Sequence, residues 1–133
     1  MLAKKIDLHV HLLQSLFSSD IYDLARSDYA EIDWNRFNFL DQYEKIIGER
    51  LDPVQMFEQR SRSDAISDIE DAMVFPAVEA GNFEKFDIRS RFPLCVTGYY
   101  LDRNLHNQVV KAVTDRHRRE GLSYVEYRNA VGY

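Results

Sequence analysis

The sequence predicts an α/β fold in which two parallel strands are joined through helices, and three observations predict it. Residues 5–12, inside "KKIDLHVHLLQ", set Ile6, Leu8, Val10 and Leu12 alternately against polar neighbours, the period of two that marks a strand. Residues 122–131, "LSYVEYRNAV", alternate in the same way. The helical segment 102–121 runs straight into that second run, as in a βαβ crossover, so the two strands should be parallel neighbours.

The elements follow in order. After the first strand, residues 14–30 read as a loop and a short helix, with Ser18 or Ser19 as cap and Ile21, Leu24 and Ala25 on one face. Residues 33–51 predict a stronger helix capped by Asp33, with Phe37, Leu40, Tyr43, Ile47 and Leu51 at helical spacing. Asp52 and Pro53 suit the start of another helix over 54–80, weak at "SRSD" and ended by Pro76, Gly81 and Asn82. Residues 81–93 look irregular, a surface excursion carrying charges beside Phe83, Phe86 and Phe92, and 94–100 reads as a short strand or an extended lead-in. Asp102 should cap the 102–121 helix, with Leu105, Val109, Ala112 and Val113 inward and Gly121 at its end. In the second strand, the core-facing residues expected alongside Ile6 and Leu8 are Tyr124 and Val125.

The bulk numbers bound the function. At 133 residues the chain has the length of one ordinary domain. With 45% apolar and 29% charged residues it can bury a core. A net charge of −5 argues against a binder of nucleic-acid backbones, which would carry a basic stripe. The single cysteine, Cys95, forms no internal disulfide and reads as a buried thiol, in keeping with a reducing compartment. Asp7, His9 and His11 interrupt any apolar signal run, and no apolar stretch reaches membrane-spanning length, so the expected place is the cytoplasm.

The chemistry concentrates in the two strands. Residues i and i+2 of a strand share a face, so His9 and His11 can offer two imidazoles to one metal ion, and Asp7, one pleat earlier, can accept a hydrogen bond from a ligand ring. An H-x-H pair alone is as often a surface feature as a ligand pair. Its position at the end of a strand with a parallel neighbour favours the ligand reading, because ligand sites in parallel α/β folds gather at strand carboxyl ends. Glu126 and Arg128 share a face of the second strand opposite Tyr127, and read first as a buried ion pair, second as a pair that supports the site. His106 and His117, on a highly charged helix, read as solvated.

The stretch "KIDLHVHL" resembles the first strand of the metal-dependent amidohydrolases, above all the adenosine deaminase-like group, whose chains open on K-x-E/D-L-H-x-H-L. "FLDQYEKIIGERLDP" (39–53) is similar to that group's F-L-x-x-F/Y helix, and "REGLSYVEYR" (119–128) to its second strand, G-V-x-Y-x-E-x-R, with Gly121, Tyr124, Glu126 and Arg128 in step. The resemblance implies the first two βα units of a TIM-type (β/α)8 barrel in one segment, 1–133, with an insertion at about 62–101 between the strands. It implies His9 and His11 as ligands of a catalytic zinc, and hydrolytic deamination of a purine nucleoside or related aminated base. The family's remaining ligands and its proton-shuttling glutamate have no counterpart here, so catalytic and substrate-binding residues are unassigned. Leu13 and Gln14 stand where the family carries a polar or acidic residue and a glycine, which implies weak recognition of plain adenosine. A barrel needs about 250 residues, so the chain is expected to need a missing C-terminal barrel segment or self-association. Two other readings stand beside this one. "DLHVHLLQSLFSSD" also resembles the first motif of the polymerase-and-histidinol-phosphatase type phosphoesterases, with Ser19 and Asp20 later than usual. The segment could instead be non-catalytic and completed by a partner.

Overall fold

The computed structural model describes residues 5–12 and 15–128, with 5–11 described by backbone alone. Among the described residues the order is β1 (Lys5–His11), α1 (Ser18–Ala25), α2 (Phe39–Ile47), α3 (Arg62–Met73), α4 (Phe83–Asp102), α5 (His106–Arg119) and β2 (Leu122–Arg128). Short 3-10 turns at Arg36–Asn38 and Ala77–Glu79 and a π turn at Gln55–Gln59 connect the helices.

The expected fold class is corrected by this order. A βα unit of a TIM-type barrel carries one strand to the next through a single helix. Here α1 to α5 all lie between β1 and β2, and the chain is mostly helical. The two strands do pair in parallel, as a two-stranded ribbon beside the helices. The core is made by helices and the loops between them: Leu16, Ile21, Trp34, Phe39, Ile69, Phe92, Val96 and Tyr100 are all buried. The physical reason is the density of apolar residues at helical spacing, such as Ala65, Ile69 and Ala72 on α3, which bury one stripe against neighbouring helices.

The centre of this core is aromatic. Trp34 lies 5.5 Å from Phe57 and 5.6 Å from Phe92, and Phe39 lies 6.0 Å from Phe92, ring centre to ring centre. Polar tips of buried rings find partners, as buried O–H and N–H groups must. Trp34 Nε1 donates to the Tyr29 carbonyl at 2.7 Å, and Tyr100 Oη donates to the Asp28 carboxylate at 3.0 Å. Arg89 is 7% exposed and spends its guanidinium on a fork to Glu79, at 2.8 and 2.9 Å, and on Tyr43 Oη at 3.2 Å.

α4 differs most from its sequence reading. Residues 83–102 form one helix across stretches whose sequence reads as irregular and then as a short strand or an extended lead-in. Asn82, expected as a stop, caps its start by accepting from the Lys85 N–H at 3.1 Å. Pro93 costs one backbone hydrogen bond. Burial of Ile88, Phe92, Cys95, Val96 and Tyr100 on the core side outweighs that loss. Phe83 and Phe86 remain on the surface, 76% and 49% exposed.

The other boundaries shift for local reasons. The 33–51 helix breaks at Phe37 and Asn38, both with positive φ (56° and 58°), so Phe37 faces solvent and α2 starts at Phe39. Asp102 ends α4 instead of opening α5, which begins at His106. "SRSD" marks a true interruption: Arg60 is extended, and Ser61 starts α3 by accepting from Asp64 N–H at 3.2 Å. For α1, the stabilising contact at the start is Asp20 reaching back to the Phe17 N–H at 2.9 Å, not a serine cap.

Candidate metal-binding strand ends

The ladder aligns Ile6 with Tyr124, Leu8 with Glu126, Val10 with Tyr127 and His11 with Arg128. Both strands therefore finish side by side at the same end, His11 next to Arg128. Between Leu8 and Val10, β1 advances two residues while β2 advances one, an irregularity that falls at His9. Such a step interrupts strict alternation and is a common means of re-aiming a side chain beside a site. The side chains of Asp7, His9 and His11, and all of Leu13 and Gln14, lie outside the described residues.

β2 shows two unlike faces. Tyr124, Glu126 and Arg128 are exposed, Tyr124 by 55%. This corrects the expectation that Tyr124 faces the core. The Glu126–Arg128 pair exists, at 3.6 Å, but its side chains are half exposed, so the expected burial does not hold. It is worth little to stability and is free to meet a ligand. On the other face Tyr127 stacks on His117 of α5, ring centres 5.6 Å apart and 8° from parallel, with Oη 2.6 Å from Nδ1. His117 is 7% exposed, which overturns its reading as a solvated histidine. Burial raises the Tyr127 hydroxyl above its ordinary pKa, against the opposing charges of Arg116 and Arg118. The hydroxyl is thus protonated near neutrality and can donate to a neutral imidazole.

The loop after β1 is held separately. Arg116 Nε donates to Asp20 at 3.0 Å, with both side chains buried, and Nη2 donates to the Ser15 carbonyl. The same guanidinium lies 3.8 Å over the Phe17 ring. Sequence reasoning missed this pair and His117 alike. Asp20 and Arg116 are 96 residues apart, and "DRHRRE" reads as a solvated charged turn.

Among the described residues no group of three His, Cys, Asp or Glu side chains is arranged to hold a metal ion. A cleft of about 440 Å³ opens elsewhere, over Tyr43, Ile47, Met56, Ala72 and Arg89, and none of its lining residues belongs to β1, β2 or α5. Cys95 is buried, and burial pushes its thiol up to about 12, so it is no nucleophile. Among the described residues no helix is long and apolar enough to cross a membrane. Comparison of the chain with protein-family models, with curated proteins and with solved structures finds no match.

Proposed function

We propose that this chain is the metal-binding portion of a zinc-dependent hydrolase that removes ammonia from a purine nucleoside or a related aminated base, acting in the cytoplasm. The observation that carries the reading is the parallel pairing that sets His11 beside Arg128, so that the H-x-H and Y-x-E-x-R stretches end together. That adjacency joins two motifs more than a hundred residues apart. It supports the reading independently of a barrel, which the helical architecture does not form.

The donor set suits the ion: two neutral imidazoles are good zinc ligands. His9 and His11 would hold it, and Asp7 would accept the outward N–H of a ligand imidazole and fix its tautomer. Zinc, when bound, supplies a hydroxide near neutral pH. The chain's own part would then be orientation. Arg128 and Glu126, exposed next to the ligand strand, offer a donor fork and an acceptor to a polar substrate edge. Leu13, apolar where the resembled family carries an acid against ribose, disfavours plain adenosine.

The test is ammonia release from a panel of aminated purines by the complete gene product, with zinc present. Turnover of a base-modified or differently substituted purine in preference to adenosine supports the reading. No ammonia from any member of the panel, with zinc bound, refutes it.

A further inference from the structure

The last turn of α5 makes two contacts through consecutive residues, one to the segment from Ser15 to Asp20 and one to β2. Adjacent side chains on a helix diverge by about 100°. Arg116 therefore reaches one way, to Asp20, the Ser15 carbonyl and the Phe17 ring, all in the segment that follows β1. His117 reaches another way, to Tyr127 near the end of β2. Both are 7% exposed. Tyr127 is paired with Val10, the residue between His9 and His11. The geometry has a short chain path behind it. Gly121, at φ 75°, reverses the chain so that β2 starts at Leu122, directly after the helix.

We propose that this turn is a two-armed clamp, with Arg116 and His117 as positioning residues that fix the Ser15–Asp20 segment, which follows β1 in the chain, and the end of β2 relative to each other. The ribbon needs such a device. It has two strands and an exposed face, and a pair of strands alone is marginally stable. Its ladder already steps out of register at His9. Each arm is built for holding: a charge-assisted fork to a buried carboxylate and a carbonyl on one side, a stacked ring pair joined by a hydrogen bond on the other. The clamp's bearing on zinc rests on the function proposed above; its hold on the strands does not.

The experiment compares the wild-type chain with His117→Phe, Tyr127→Phe, their double variant, and Arg116→Lys. These keep ring or charge, so the core survives; removing Arg116 altogether would strand Asp20 without its partner. Hydrogen exchange is read on the metal-free chain, and zinc affinity by titration of zinc alone. His117→Phe and Tyr127→Phe should each quicken exchange at the β1 and β2 amides by about tenfold, the effect of one lost hydrogen bond, and leave α2 to α4 unchanged. Arg116→Lys should do the same at Ser15 to Phe17 and in β1. Zinc affinity should fall by about 10- to 100-fold in the ring variants, with the double variant no worse than either single one. Unchanged strand amides overturn the clamp, and loosened amides with unchanged zinc affinity overturn its role at the metal. A wild-type chain that takes up no zinc, with amides that still loosen in the variants, refutes the proposed function and upholds the clamp.

Discussion

The helical body and the strand ribbon are held by different physics. In the body, rings and aliphatic side chains are buried on several sides: Phe92 is 1% exposed and touches rings from two other segments, and Ile21, Ile69 and Val96 are fully buried. In the ribbon, β2 presents Tyr124, Glu126 and Arg128 to solvent and is tied to the body at Tyr127. Stability is thus concentrated in the body, and β2 belongs to the less enclosed part of the described structure. That division is common in proteins, because regions that bind and rearrange are drawn from the low-stability end of a structure.

The largest effect should come from the middle of the body. Phe92→Ala should cost about 4 kcal/mol in denaturant unfolding and loosen body and ribbon together. A loss confined to the ribbon would break the division drawn here. Arg89→Met comes next, at about 3 kcal/mol, because it leaves Glu79 with Lys85 at 3.5 Å in place of the guanidinium fork and strands two carbonyls that the guanidinium satisfies. It also carries a pH signature. The Arg89 hydrogen bonds hold the Glu79 carboxyl below its ordinary 4.5. The stabilisation from that pair is therefore present above the unfolded pKa and fades as pH falls through the lower folded value. Between about pH 5 and pH 3 the wild type should lose stability more steeply than Arg89→Met; parallel pH curves would contradict the assignment.

Tyr127→Phe should cost about 1 kcal/mol, felt in the ribbon and not in the body. Equal loosening of α4 in hydrogen exchange would show that the two regions are one cooperative unit. The smallest effect is an expected absence of reaction. Cys95 is buried in the body with its thiol pushed up to about 12, so a disulfide reagent at pH 8 should leave the folded chain unlabelled and react once it unfolds. Rapid native labelling would mean that the body opens as easily as the ribbon.

The sequence made local patterns legible and long-range balances illegible. Alternation in residues 5–12 and 122–131 pointed to both strands, described as Lys5–His11 and Leu122–Arg128, and the helix leading into the second pointed to their parallel pairing. The fold class failed because the strands' pattern says nothing of how much core the intervening helices build among themselves. α4 was hidden by Pro93 and by charges at Glu84, Lys85 and Asp87, all on a helix whose other side is buried. Phe37 kept helical spacing but took a left-handed backbone, which spacing alone does not show. At the candidate site, H-x-H and Glu126 with Arg128 were visible as residue types. His117 and the Arg116–Asp20 pair were not, because their burial depends on partners 10 and 96 residues away.

If His9 and His11 bind metal, the zinc content of the protein depends on them. The complete gene product and its His9→Ala/His11→Ala variant would be purified in parallel, and their zinc measured per chain by elemental analysis, with circular dichroism to confirm that both are folded. Bound zinc in the wild type that is lost from a folded double variant is the result predicted. Equal zinc in the two proteins, or none in either, would contradict it.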